Sequence, residues 1–450
     1  MLTFLNRNLI LPALAAKRRS KHFHYLHQLE QSQYDAPELV RARQLRMLQA
    51  QLHHAYATVP YYRRTWTTAG VHPADVKTLD DLKQFPIVTK QDIRHVQSEL
   101  LSSAYDARTL RTKKTSGSTG VPLVIRIDEV GAQWKTACTI RSDEWSGWKL
   151  GQRVAKVWGN PEYRHFGLRG RIMNTLVDRA VYLDTIQLDS ARLQEFVRTI
   201  RRQKPGLIFG HAHSLYLLAS ALKKANIADI RPQGIISTAM PLHDYQRTVI
   251  EHVFGVPATN RYGCEEVSLI ASECEVHNGL HVAAESVFTE VKGGGETGPL
   301  LVTDLSNFAM PLIRYQIGDV VTQTARTCRC GRGLPLIEKV EGRDADYVVT
   351  PAGKLISGIS LTENFAVLIR GAAQVQIIQE TQTYLRVRMV TDATFDDESR
   401  RQIAQLVLDT FGPTMQYQLE VVDDIPQEPS GKYRFCISKV AADHLRALSA

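Results

Sequence analysis

Two local patterns in this chain have chemistry in them. The first is a set of metal-binding side chains. Cys328-Arg329-Cys330-Gly331-Arg332-Gly333 is a tight knuckle, in which two thiolates two positions apart can reach one ion where glycine permits the turn. Cys274 lies earlier, followed by His277 and His281. Three cysteines and one histidine make a closed tetrahedral set of the kind that holds structural zinc. His281 is the preferred fourth ligand, because it opens a strand predicted beside the Cys274 loop; His277 is the alternative. The second pattern is Lys114-Thr115-Ser116-Gly117-Ser118-Thr119-Gly120-Val121-Pro122. Its glycines free the backbone to wrap an anion, and its N–H groups and hydroxyls can donate to phosphate oxygens. No Gly-Lys-Ser/Thr ends it, so it is not a Walker A loop.

The elements that must position these groups follow from periodicity. A helical pattern runs over 25–58 with Leu45, Leu48, Leu52 and Ala55 on one face, and Val59-Pro60 ends it. A short helix is expected over 78–83. Another follows Thr89, an N-cap with Asp92 three residues on. Apolar runs at 153–158, 206–209 and 234–237 alternate with helical stretches at 189–203 and 214–225, which predicts an α/β layer with a largely parallel sheet. Segments 281–291, 299–304 and 313–322 read as consecutive strands of a β-meander or small barrel. Beyond Gly342 the segments are shorter: strands near 347–349, 373–380, 384–390 and 416–422, and a helix over 397–411. That is the rhythm of a small α+β domain. The fold class is therefore α/β, with a large domain over 1–342 and a small α+β domain over 343–450. The large domain has a helical start, an α/β core and a zinc-bearing β subdomain at 264–340.

Composition removes several function classes. The chain of 450 residues is 44% hydrophobic and 22% charged, which excludes a disordered or collagen-like protein. Lys and Arg total 55 against 46 Asp and Glu, a net charge of +9, which suits anionic ligands. Six cysteines are too few and too unevenly placed for a disulfide scaffold in a chain of this length. A reducing, cytoplasmic location is expected. Cys138, Cys264 and Cys436 read as small buried hydrophobes. No run of 18 or more apolar residues spans a membrane. The apolar stretch 9–16 runs directly into Lys17, Arg18, Arg19 and Lys21, which fits an amphipathic helix with weak peripheral membrane contact better than a signal peptide. No nucleic-acid module is visible.

The loop at 114–122 resembles the phosphate-binding loop of adenylate-forming enzymes, specifically the phenylacetate–coenzyme A ligase-like family. Further segments follow in that family's order. Arg261-Tyr262-Gly263-Cys264-Glu265-Glu266 resembles its adenine and magnesium segment. Val302-Thr303-Asp304-Leu305 and Pro311-Leu312-Ile313-Arg314-Tyr315-Gln316-Ile317-Gly318-Asp319 resemble its ribose-binding segment. Gly342-Arg343-Asp344 is similar to its interdomain hinge, and Pro429-Ser430-Gly431-Lys432-Tyr433-Arg434 to its catalytic lysine segment. The helical start, with Ala55-Tyr56-Ala57-Thr58-Val59-Pro60-Tyr61-Tyr62, resembles the family's capsule- and exopolysaccharide-associated branch. Three positions depart from the pattern. Met240 stands where relatives have an acidic residue, Glu265 where they have Ser or Thr, and Ala345 where they have an aspartate.

The resemblance implies ATP-dependent adenylation of a carboxylic acid and acyl transfer to coenzyme A. It implies that Thr115, Ser116, Gly117, Ser118, Thr119 and Gly120 hold phosphates. Tyr262 and Gly263 would lie at the adenine, Glu266 would hold Mg²⁺, and Asp319 and Arg314 would hold the ribose side. Lys432 would act on the developing phosphorane, with a rotation near Arg343 between the two half-reactions. ATP, Mg²⁺, coenzyme A and structural zinc on Cys274, His281, Cys328 and Cys330 are the expected cofactors. The 211–214 segment and the 145–158 region are expected beside the acid. Three alternatives stay open: a sugar amine or hydroxyl as acceptor, transfer of AMP itself, and a non-catalytic nucleotide binder. The chain is expected to be a monomer or homodimer.

Overall fold

The computed structural model describes all residues except 1, 115–122, 158–166, 168–169, 171–172, 184–189, 344–346, 354, 358–360, 362–364, 366–367, 427–433, 435 and 442–450. Among the described residues, twelve strands share one sheet. One end is parallel: Ala180–Leu183, Val154–Val157, Leu207–His211, Gly234–Thr238 and Ala258–Cys264, in that order across the sheet. Ala180–Leu183, Leu207–His211 and Gly234–Thr238 are short, largely buried apolar runs, as covered parallel strands must be, whereas Val154–Val157 alternates buried and half-buried positions and Ala258–Cys264 turns polar after its first two residues. Every residue of Gly234–Thr238 is buried. Helices Ala212–Lys224 and Asp244–Phe254 lay Leu215, Leu218, Leu222, Ile250 and Phe254 against Ile208 and Ile235. Each such side chain contributes about 1.5–3 kcal/mol when fully buried.

The sheet then turns antiparallel. From Ala258–Cys264 it passes through Ser268–Glu273, Leu280–Val282, Leu336–Arg343, Tyr315–Thr324 and Thr297–Asp304 to Val287–Val291, and the twelfth strand, Val88–Thr89, pairs parallel with the start of Tyr315–Thr324. The meander expected at 281–323 is present, but it does not close into a barrel of its own. Leu336–Arg343 pairs on both sides and joins it to the rest. The run 281–291 is two strands rather than one. Buried Glu285 and Ser286 sit in the turn between them, where the Val287 N–H donates to the Ala283 carbonyl.

The helical start splits into His22–Ser32 and Pro37–Thr58, since Pro37 cannot continue the earlier helix. Helix Lys90–His95 begins as expected: Thr89 Oγ1 accepts from Asp92 N, and Asp92 accepts from Thr89 N. Segment 79–84 is a 3₁₀ turn. Toward the C-terminus, strands Gln416–Val421, Tyr384–Thr391, Ala372–Thr381 and Cys436–Ser438 form a separate four-stranded sheet. Helix Asp397–Phe411 shares a core with it, built from Ile377, Val387, Ile403, Val407 and Phe411. The parallel partner Cys436–Ser438 has no periodic signal of its own, being three residues long.

Candidate active site and metal centre

The antiparallel strands bring two of the quoted segments side by side. Tyr262 lies near the end of Ala258–Cys264, and Asp319 lies midway along Tyr315–Thr324. The Tyr262 hydroxyl donates to Asp319 Oδ2 at 2.6 Å. The Tyr315 hydroxyl donates to Glu266 Oε1 at 3.0 Å, and the Lys90 ammonium stands 3.5 Å from the same oxygen. Gly263 has a steric reason: a Cβ there would collide with the Ser268 carbonyl, where the ladder slips register. Burial opposes the charge on Glu266, but Lys90 and the hydrogen bonds from Tyr315 and the backbone hold its carboxyl below the usual range. A charged, hard carboxylate is what a magnesium ion would require at that position. Burial, and then Glu266 beside it, raises the Tyr315 phenol, which keeps it a donor. Burial and Glu266 likewise raise the Cys264 thiol well above its ordinary value, so it is no ready nucleophile.

Strands Arg111–Lys114 and Val124–Ile127 pair antiparallel, with Lys114 opposite Val124, and so fix both ends of the loop between them. The loop residues Thr115, Ser116, Gly117, Ser118, Thr119 and Gly120 lie outside the described residues, as do Lys432 and Asp344–Asp346. Of Arg343 the backbone is described, and it stands opposite Asp319 in the ladder. Lys113 reaches toward Glu266's turn, 2.9 Å from Ser268 Oγ and 4.0 Å from Glu265. Desolvation lowers its pKa, with Glu265 working the other way.

Other quoted residues are committed to the scaffold. The Arg314 guanidinium is buried against Glu290 at 3.2 Å and donates to the carbonyls of Lys83 and Phe85. That geometry braces the strand carrying Asp319. Asp304 is fully buried; it accepts from Lys135 and from the N–H groups of Ser306 and Asn307, and so organises the turn before the ribose-like segment. Arg261 pairs with Asp143 at 2.7 Å and packs over Phe209. Sequence reasoning missed Lys90, Lys113 and Tyr315. Only Tyr315 carried a signal, its place inside the quoted segment.

The carboxyl ends of the parallel strands open onto a second group of side chains. His211 ends Leu207–His211, His213 lies in the first turn of the next helix, and His243 precedes Asp244–Phe254. All three are buried, and Ser237 is fully buried among them on the adjacent strand. Tyr245 stacks on His243, and Tyr216 lies near both Tyr245 and His213. Trp145 lies elsewhere, against His281, and Trp158 is outside the described residues. Burial lowers His213 to about 4, with His243 adding to the effect; burial also lowers His243 to about 4, with Lys339 adding to it. A helix N-terminus disfavours the imidazolium further.

Unfolded, each imidazole takes up its proton near 6.5. Between 6.5 and 4 the unfolded chain therefore binds more protons than the folded one, so stability is full above pH 6.5 and is lost as pH falls toward 4. The expected loss is roughly 3 kcal/mol for each histidine taken singly. Urea midpoints measured across that interval check it, and His213→Asn should flatten the slope; an unchanged slope would refute the assignment.

The metal set converges. The ligand atoms of Cys274, His281, Cys328 and Cys330 all lie within 4.8 Å of one another. Cys274 Sγ is 3.8 Å from Cys328 Sγ, and Cys330 Sγ is 3.3 Å from His281 Nε2. A tetrahedron with metal–sulfur bonds of about 2.3 Å has sulfur–sulfur edges of about 3.8 Å. The outer contacts suit ligation too. The His281 Nδ1 side faces the Leu334 carbonyl at 3.4 Å, and the N–H groups of Val276 and Arg332 point at Cys274 and Cys330. His277 lies against Glu273 instead. The knuckle is fastened to the helical layer through Gln33. Its side-chain oxygen accepts from Trp145 Nε1 at 3.0 Å and Arg332 Nε at 2.9 Å, and its backbone carbonyl from Gly333 N at 3.0 Å. A side chain at Gly333 would strike the Asp35 carbonyl.

This architecture is that of the adenylate-forming acyl-CoA ligases. 2-Hydroxyisobutyryl-CoA ligase, in a crystal structure of its postadenylation state with 2-HIB-AMP, superposes with a TM-score of 0.71 at 20% identity, over 90% of each chain. By sequence, the chain is a relative of the phenylacetate-coenzyme A ligases and of CapK. The Thermus thermophilus phenylacetate-coenzyme A ligase is 23% identical over 88% of this chain and 96% of its own. Protein CapK of Staphylococcus aureus is 23% identical over 81% of each. Residues 348–439 match the family described as the CapK C-terminal domain.

Proposed function

We propose that the protein adenylates a carboxylic acid with Mg-ATP and then transfers the acyl group to coenzyme A. The observation that carries this reading is the pairing of Tyr262 with Asp319 beside that of Glu266 with Tyr315, next to the strands that bracket the loop 115–120. In this reading the Asp319 carboxylate, oriented by Tyr262, accepts from the ribose hydroxyls. The loop donates to the phosphates, with Lys113 and Lys90 adding positive charge nearby. Glu266 holds Mg²⁺, which neutralises phosphate charge. Lys432 stabilises the transition state of adenylation. The division into 1–342 and 343–450, with a pivot at Arg343, lets one face of the smaller part serve each half-reaction. The buried histidines near the strand ends, with half-buried Tyr216 and Tyr245 on the following helices, are the proposed wall of the acid pocket. A structural zinc on Cys274, His281, Cys328 and Cys330 stabilises the sheet without entering the reaction. A cytoplasmic setting is part of this reading, because six unevenly placed cysteines make no disulfide scaffold for a chain of 450 residues.

Pyrophosphate release with a panel of acids tests the adenylation, and its dependence on coenzyme A tests the acceptor. Nucleotide binding without release, whichever acid in the panel is supplied, would leave a non-catalytic binder. The resemblance of the helical start to the capsule- and exopolysaccharide-associated branch supports a second reading, in which a sugar amine or hydroxyl accepts the acyl group; product formation without coenzyme A would establish it.

Asp319→Ala removes two charge-assisted hydrogen bonds, each worth about 1.5–3 kcal/mol before water replaces part of them. Binding of ATP and of AMP should weaken alike, by roughly tenfold to a few hundredfold. Thr115→Ala should weaken ATP more than AMP. Calorimetry with both nucleotides decides; wild-type affinity in Asp319→Ala would overturn the ribose role.

A further inference from the structure

We propose that the helical segment 2–17 docks the protein on an anionic membrane surface. Leu2–Leu5, the π-helical turn Asn6–Ile10 and Leu11–Lys17 form one continuous helical rod, since Leu5, Ile10 and Leu11 all keep right-handed helical angles at the joints. The π turn adds one residue to a turn. It thereby swings Leu9 back toward the side of Phe4, next to Asn8, whose amide donates to the Phe4 carbonyl at 3.0 Å, and Ala13 and Ala16 continue along that side. The four apolar side chains are exposed, Phe4 by 68% and Leu9 by 59%. Apolar side chains of that size are rarely left to water in a row.

The opposite face is seated on the body, so the outward face is fixed. Asn6 and Ala15 are buried, the Asn6 amide donates to the Leu176 carbonyl, and Arg7 pairs with Glu144 at 3.3 Å. Leu176, itself 43% exposed, widens the apolar surface beside Asn6.

The charge beside this stripe selects the partner. Lys17, Arg18, Arg19 and Lys21 follow at the end of the rod and are exposed, and no acidic residue occurs before Glu30. Arg19 adopts φ +52, which turns the chain into the next helix and gathers the cations at one place. An apolar stripe ending in clustered cations suits the boundary between acyl chains and anionic headgroups: the aromatic and aliphatic side chains enter the boundary and the cations meet the phosphates. No described helix is long and apolar enough to cross a membrane, so the contact is with one surface.

The test is co-sedimentation of the full chain with vesicles of phosphatidylcholine alone and of phosphatidylcholine with one-third phosphatidylglycerol. Binding is expected on the second and much less on the first, and it should weaken with salt. Each cation near such a surface changes partition roughly fivefold, so Arg18→Ala with Arg19→Ala should lower it roughly twenty-five-fold. Phe4→Ser with Leu9→Ser should lower it at least about tenfold. Thermal midpoints of both variants should match the parent, which separates lost docking from lost folding. Leu9→Trp should show a blue-shifted indole emission on the anionic vesicles. No partition of the parent, equal partition of the variants, or an unshifted emission from the Leu9→Trp variant would overturn the proposal. Dimers that dissociate on Phe4→Ser, without vesicle binding, would assign the face to a second copy of the chain instead.

Discussion

Lys432→Ala is expected to lower acyl-adenylate formation by roughly 10²–10³-fold, the usual cost of removing one preorganised donor from a developing charge. ATP affinity should change little, because a cation that acts at the transition state contributes little to the ground-state complex. Thioester formation from a supplied acyl-adenylate should survive, since that half-reaction involves no pentacoordinate phosphorus. Pyrophosphate release, nucleotide calorimetry and the second half-reaction together separate these outcomes. Pyrophosphate released at the parental rate would remove Lys432 from the mechanism. A loss of ATP binding equal to the loss in rate would make it a ground-state ligand instead.

The second large effect concerns the metal set. Elemental analysis should find one zinc per chain, and Cys328→Ser should abolish it. Structural zinc contributes folding free energy on the order of 10 kcal/mol in small domains. Losing one of four ligands here should lower the thermal midpoint by about 5 °C or more. A chelator should lower the parent similarly and leave the variant unmoved. His281→Ala should behave like Cys328→Ser, whereas His277→Ala, whose imidazole lies by Glu273, should keep the zinc. A zinc-free parent that is indifferent to chelator would refute the site.

Signals in the sequence are legible where the physics is local. The Thr89–Asp92 box marks a helix start because both of its hydrogen bonds close within three residues. The Cys328–Cys330 knuckle is recognisable from two thiols and a glycine. The choice between His277 and His281 needs the fold, because only strand pairing carries His281 to Cys330. Long-range commitments leave no trace in the pattern. Arg314 sits in a nucleotide-like segment, yet its guanidinium is held by Glu290 and by carbonyls more than two hundred residues away in sequence. Lys90 reads as the first residue of a capped helix, and nothing near it announces Glu266. The break in 281–291 is hidden for the same reason, since apolar Ala283 and Ala284 continue the strand-like composition through a turn.

The contact between Gln33 and the knuckle has a thermodynamic consequence. Gln33 belongs to none of the four candidate ligands, yet it receives hydrogen bonds from Arg332 and Gly333, which follow Cys330 in the knuckle. With an ion held there, the free energy of seating the helical layer and the free energy of binding the ion are linked. Whatever factor the ion adds to the population of seated helices, the seated helices return to the ion's affinity. The helices His22–Ser32 and Pro37–Thr58, the second of which packs Val40 into one core cluster with Cys274 and Cys328, would thus be part of the affinity of a metal centre to which they lend no ligand atom, and their removal would be felt first as a leakier ion rather than as a missing layer.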